Sequence, residues 1–216
     1  GAIIVHPEHR GYGYAYLEAF RYARGRYIVI GDADNTYDFL ELPLLIRKLD
    51  EGADLVIGSR FKGEILDGAM IPLHRYIGNP LLTWVLNKVF GTDFSDTHSG
   101  FRAIRADSLK RLNLQSWGME FASEMLIKAS REGLTITEVP ITYHPRGTPS
   151  KLSSYSDGWR HLRFILLLRP MPFLTVPGIL CTLFGLVLMA AFYTSANNPD
   201  GRTHSFILGT ILLTGG

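Results

Sequence analysis

From Phe173 to Tyr193 the chain carries no charged side chain, and the stretch is as long as a helix that crosses a bilayer. That length and the complete lack of charge argue against a buried core helix, so what precedes it is expected to fold as a membrane-tethered domain. Arg160, Arg163 and Arg169 flank the span on the domain side, which by the positive-inside rule sets the domain in the cytoplasm. Between them, 157–169 mixes Trp159, Leu162 and Phe164 with Arg160, His161 and Arg163, the pattern of an amphipathic helix in a membrane interface. A polar loop, Asn197 to His204, then leads to an apolar run over 205–216 that is expected to begin a second span and make the protein multi-pass. The chain does not begin with Met and its last run is short, so it reads as a piece open at both ends.

Residues 1–156 have the composition of one soluble domain large enough to bury a core. The net charge of +2 discriminates nothing by itself, and no nucleic-acid partner is expected. Cys181 is the lone cysteine, which excludes an internal disulfide and suits a reducing compartment. Ala2 to Val5, Tyr27 to Ile30 and Asp54 to Gly58 are short apolar runs read as strands, the last two buried, with a helix that follows Ala15 and runs to about Arg24 and another from Leu40 to Glu51 between them. Strand and helix alternating with short connections predict a parallel α/β sheet.

The run Tyr27 to Ile30 stops at Gly31, and Asp32 and Asp34 follow at the carboxyl end of the strand, where open α/β sheets place ligands. Two hard carboxylates at this spacing suit Mg²⁺ or Mn²⁺ shared with a substrate diphosphate. The pair fits a turn residue and a helix cap equally well on these residues alone. Gly11 and Gly13 let backbone approach a ligand at a helix start. A dinucleotide fingerprint fails there, because Tyr16 replaces the third glycine and the loop after Val5 is long.

Further on, Ser59 to Ala69 reads as a flap over a site or as a solvated connection, with equal weight. Pro72 to Phe90 is predicted as one long helix, bearing His74 and Arg75, apolar over much of its surface; it fits burial against the sheet or partial contact with a membrane. Arg102 lies in a short strand, Ser99 to Arg105, where it can grip a phosphate bidentately or form a surface ion pair. Glu120 and Glu124 sit one turn apart on a helix and favour a structural role over acid–base work. Leu134 to Tyr143 reads as a strand broken by Pro140, and His144 to Ser156 as a basic loop with Arg146 and Lys151.

Taken in order, Gly11-x-Gly13-x-Ala15, Asp32-Ala33-Asp34, Gly58-Ser59-Arg60, Ser99-Gly100-Phe101-Arg102 and the Arg146 to Lys151 loop resemble the family 2 glycosyltransferases. The resemblance is to the polyprenyl-phosphate branch, which includes the dolichol-phosphate mannose and glucose synthases. It implies a GT-A-type, Rossmann-like, mostly parallel sheet flanked by helices, then the interfacial helix and transmembrane helices. It also implies transfer of a hexose from a nucleotide-sugar to a polyprenyl or dolichyl phosphate at the cytoplasmic membrane face, inverting and dependent on Mg²⁺ or Mn²⁺. By the same resemblance Asp32 and Asp34 hold the metal, Arg10, Gly11, Gly13 and Asp32 contact the donor, and Asp34 and Arg102 are the catalytic candidates. Ser59, Arg60, Arg75, Arg102, Arg146 and Lys151 are the candidates for the acceptor phosphate. Thr36 departs from the pattern, standing where a metal-binding Gln is often found. Two rival readings are an enzyme acting on a polysaccharide or other glycan acceptor and a non-catalytic membrane scaffold. No Gln-x-x-Arg-Trp signature of the processive polymer synthases occurs, and retention of both aspartates argues against a scaffold.

Overall fold

The computed structural model describes residues 3–147, 159, 162–164, 166–167, 171–194 and 207–212. The chain divides into two compact units, residues 1–165 and 166–216.

The first unit is built on a sheet of four strands, β1 (Tyr27–Ile30), β2 (Leu55–Ile65), β3 (Arg102–Arg105) and β4 (Ile136–Tyr143), in the order β1-β3-β2-β4. Its helices are α1 (Tyr12–Phe20), α2 (Leu42–Asp50), α3 (Asn79–Phe90), α4 (Ala106–Leu112) and α5 (Phe121–Arg131). The expected mostly parallel sheet is corrected to a mixed one. β3 runs antiparallel to both neighbours, with Ile30 and Ile57 each opposite Arg102, and only β2 and β4 pair in parallel. The apolar run at Tyr27 to Ile30 demands burial but says nothing of which strand lies beside it; that pairing is a long-range choice.

Period-two alternation splits the core between the two faces of the sheet. Leu55, Ile57 and Ile104 pack with Leu109 and Leu112 of α4, Phe121, Met125 and Leu126 of α5, and Tyr16, Leu17 and Phe20 of α1. Val56 and Ala103 point the other way, onto Leu45 and Leu49 of α2 with Phe101, Tyr37 and Ile141. At about 25 cal/mol per Å² of apolar surface buried, these two layers are the main stabilising force of the domain.

Five local expectations change. Residues 3–7 form no strand, and Ile4 is 81% exposed, because no segment among the described residues pairs with them. Helix α1 ends at Phe20 rather than near Arg24. Ser59 to Gly63 is neither flap nor loop but the continuation of β2, which pairs with β4 to Tyr143 after a register shift between Ser59 and Glu64. Gly63 allows this, since a Cβ there would run into the backbone of Ile141. Pro140 does not break β4, because β4 is an edge strand and can spare an N–H. The long helix is interrupted by a π turn at His74–Gly78 ahead of α3.

In the second unit α6 (Met171–Thr194) is apolar throughout, with Pro177 inside it. Its stretch Leu174–Ala191 is the only one among the described residues long and apolar enough to cross a membrane, and residues 207–212 form a short helix. The expected second span over 205–216 falls partly outside the described residues, as does most of the interfacial segment 157–169, so a multi-pass arrangement stays an expectation.

Candidate active site

Where β1 ends, the chain turns through Gly31 into Asp32-Ala33-Asp34 and then Asn35, whose φ of 67° lies in the left-handed region that Asn tolerates. This turn aims the two carboxylates differently. Asp32 points inward. Its Oδ1 accepts a hydrogen bond from the Tyr16 hydroxyl at 2.9 Å, and the Tyr12 hydroxyl donates to it as well. Tyr12 and Tyr16 are one turn apart on α1, so a single helix face presents both phenols. On its other side Asp32 is crowded by the backbone of Gly100, where a Cβ would sit 2.5 Å from Oδ2. The Gly100 N–H donates to the Tyr37 hydroxyl at 2.8 Å, and Tyr37 stacks on Phe101, which fixes this approach. Burial raises the pKa of Asp32, with the charge of Asp34 adding to that shift and the two phenols opposing it.

Asp34 behaves in the opposite way. Burial alone would raise its pKa, but bonds from the Thr36 hydroxyl (2.5 Å) and amide (3.1 Å) to Oδ1, together with an ion pair from Arg146 to Oδ2, bring it below the ordinary carboxylate range. Arg146 reaches this point because β4 is stitched to the turn: Tyr37 bridges Tyr143, and the His144 N–H donates to the Thr36 carbonyl at 2.9 Å. Thr36 is fully buried and spends its hydroxyl on Asp34, so it braces a carboxylate here.

The remaining expected site residues divide sharply. Arg102 is 2% exposed and donates to three backbone carbonyls, those of Ser99, Thr97 and Ala122, at 2.8, 2.8 and 2.6 Å. Its guanidinium ties β3 to α5 instead of presenting a face to a ligand. Arg60 is buried in a two-pronged ion pair with Asp96 at 2.7 and 2.8 Å, and Ser59 shares a 2.6 Å hydrogen bond with the Ser95 hydroxyl. Both hold the middle of β2 against the 95–98 loop. Gly11 and Gly13 are close to protein rather than open to a ligand: Cβ atoms there would strike the carbonyls of Trp117 and Ser116, and at Gly13 also Phe121 Cβ at 2.8 Å. Arg10 is exposed just before α1, and Arg75 lies half-buried over the Tyr76 ring. Lys151 lies outside the described residues. Glu124 has the structural role expected, accepting from the Gln115 and Ser116 amides and pairing with Lys128.

Sequence reasoning missed Tyr12, Tyr16 and Asp96. The tyrosines carried a readable signal, a four-residue spacing on the first helix of the domain. Asp96 carried none, since its partner lies 36 residues away.

No group of three or more His, Cys, Asp or Glu suited to a metal ion occurs among the described residues. The aspartate pair nevertheless fits a divalent ion of the Mg²⁺ or Mn²⁺ kind, which commonly takes one or two protein carboxylates and completes its shell with water and substrate phosphate. Two neighbouring carboxylates, one held down in pKa and already paired with a cation, are such a donor set.

A family profile described as Glycosyl transferase family 2 matches residues 2–112. Among curated proteins, the low-salt glycan biosynthesis hexosyltransferase Agl6 of Haloferax volcanii is 45% identical over all of this chain and 53% of its own length. A dolichyl-phosphate hexose transferase of the same organism is 32% identical, over 73% of this chain and 68% of its own. An undecaprenyl-phosphate mannosyltransferase of Micrococcus luteus is 34% identical, over 66% and 62%. The chain spans about half the length of Agl6. Among solved structures, glucosyl-3-phosphoglycerate synthase from Mycobacterium tuberculosis, in complex with Mn²⁺, uridine diphosphate and glucosyl-3-phosphoglycerate, superposes with a TM-score of 0.57 at 25% identity, covering 76% of this chain and 56% of that one.

Proposed function

This chain belongs to glycosyl transferase family 2, and we propose that it transfers a hexose from a nucleotide-sugar to a polyprenyl phosphate of the dolichyl type, at the cytoplasmic face of a membrane and with inversion. The observation that carries the proposal is Asp32 and Asp34 at the end of β1, with Arg146 delivered to Asp34 from β4, in a chain that also has a helix long enough to span a bilayer. Relatives named for dolichyl- and undecaprenyl-phosphate transfer support the acceptor class.

Asp32 and Asp34 would hold the Mg²⁺ or Mn²⁺, whose chemistry when bound is to offset the charge of the departing nucleoside diphosphate. Each aspartate is prepared for that by its neighbours. The phenols of Tyr12 and Tyr16 fix the orientation of Asp32, and Thr36 keeps Asp34 ionised. Of the other residues assigned to the donor, Arg10 is exposed just before α1 and is the one left to meet it, whereas Gly11 and Gly13 let α1 pack against the carbonyls of Trp117 and Ser116. The acceptor phosphate is largely ionised near neutral pH, so its oxygen can attack the anomeric carbon without a strong general base. What it needs is relief from repulsion by the diphosphate. Arg146 is the cation placed beside the aspartates for that task, with Lys151 and Arg75 as further cations of the same assignment. Ser59, Arg60 and Arg102 act one layer back, holding the sheet that carries the site.

The test uses the full-length protein in membranes with polyprenyl phosphate and a panel of radiolabelled nucleotide-sugars, with label followed into the organic phase. Metal-dependent transfer lost in Asp32→Asn and Asp34→Asn is the expected result. Intact nucleotide binding with no lipid-linked product from any donor would overturn the acceptor and leave a glycan acceptor as the reading.

A further inference from the structure

The segment from Ile71 to Phe90 is apolar on two sides, and the domain covers only one. Thr83, Leu86 and Val89 are buried inward. On the opposite side Leu73, Tyr76, Ile77, Leu81 and Trp84, spaced by three, one, four and three residues, form a continuous exposed stripe in which Tyr76 is 70% and Trp84 58% exposed. Isolated exposed apolar residues need no explanation, but a contiguous helical stripe with its polar partners missing marks an interaction surface.

We infer that this stripe is a second membrane contact, by which the catalytic domain lies on an anionic lipid surface. Charge complementarity favours that occupant: from Ile71 to Phe90 there is no acidic residue, while His74, Arg75 and Lys88 are basic. Lys88 is exposed near the end of α3, where a long cationic side chain can reach headgroup phosphates while its stem lies along apolar surface. Tyr76 and Trp84 are the residue types that settle at the boundary of headgroup and acyl chain. The Arg75 guanidinium lies 5.5 Å from the Tyr76 ring centroid, which holds a cation at the edge of the stripe. A bilayer is also at hand, because α6 carries a stretch able to cross one. The inference rests on that reading of α6 and not on the transfer of sugar.

Depth measured in vesicles tests it. In the chain with its lone cysteine, Cys181, replaced by serine, Ile77→Cys and Leu81→Cys carry an environment-sensitive fluorophore, with Lys110→Cys on α4 as the exposed reference. In vesicles of phosphatidylcholine and phosphatidylglycerol containing doxyl-labelled lipid, the labels at 77 and 81 are expected to be quenched about twofold or more beyond the label at 110. That excess should shrink when phosphatidylglycerol is left out, and when Tyr76, Leu81 and Trp84 are all changed to serine around a label at 77. Quenching equal to the reference, with equal access to aqueous iodide, overturns the proposal. Protection from both quenchers overturns it in favour of a covering segment of the chain itself, and energy transfer between labels that grows with protein density does so in favour of a second copy. Loss of sugar transfer with lipid quenching intact would count against the proposed function alone.

Discussion

Lysine in place of Arg102 keeps a charge but cannot span the carbonyls of Thr97, Ser99 and Ala122, so at least one buried acceptor loses its donor. Arg102→Lys is expected to lower stability by about 3 kcal/mol, read as a drop in the unfolding midpoint without any substrate. An unchanged midpoint with lost transfer would return Arg102 to the phosphate-binding role its strand pattern first suggested. Tyr16→Phe removes only a hydroxyl from Asp32. Because groups that orient metal ligands commonly contribute 10–100-fold to metal affinity, the Mn²⁺ concentration giving half-maximal transfer should rise about tenfold. An unmoved Mn²⁺ dependence would show that Asp32 needs no phenol to hold it. The aspartate pair itself is legible in the sequence because strand, glycine and carboxylates are contiguous. The occupation of Arg102 is not, since one of its acceptors comes from α5, twenty residues along the chain.

Elements show the same division between local and distant causes. The apolar runs at β1 and the start of β2, and the amphipathic pattern of α2, are strong enough in sequence to place those elements within a few residues. The insertion of β3 between β1 and β2 could not be read, because Arg102 to Arg105 contains two arginines and gives no apolar signal of a central strand. The length of β2 was hidden for another reason. Ser-Arg-Phe-Lys-Gly has the polarity of a loop, yet Ser59 and Arg60 are buried because Ser95 and Asp96 satisfy them. Gly63 is the point at which this extension depends on backbone contact with β4. Gly63→Ala is therefore expected to cost about 2 kcal/mol, as overpacking commonly does, and to raise amide exchange selectively from Lys62 to Ile65. Uniform exchange along β2 would show that the register tolerates the methyl group.

At the scale of the whole molecule, the sequence leads one to expect an α/β domain over 1–156 followed by an apolar segment, and the chain divides into two compact units between residues 165 and 166. How far the second unit behaves as a membrane element depends on Leu174–Ala191, whose side chains are mostly uncovered by protein. A core helix would bury its large residues, whereas Leu180, Leu183, Phe184 and Val187 are all more than half exposed. In water that surface would be costly; in lipid it is the condition for stability. Leu183 lies near the middle of the stretch, where an arginine would sit deepest in hydrocarbon. Leu183→Arg should then cost roughly 2.5–3.5 kcal/mol of insertion free energy, whereas arginine at Met171, at the start of α6, should cost far less. Membrane integration scored by glycosylation mapping in microsomes checks this. Equal insertion of both variants would mean that the helix does not span a bilayer, and the lipid-phosphate acceptor would then lose its physical reason for being tethered beside Asp32 and Asp34.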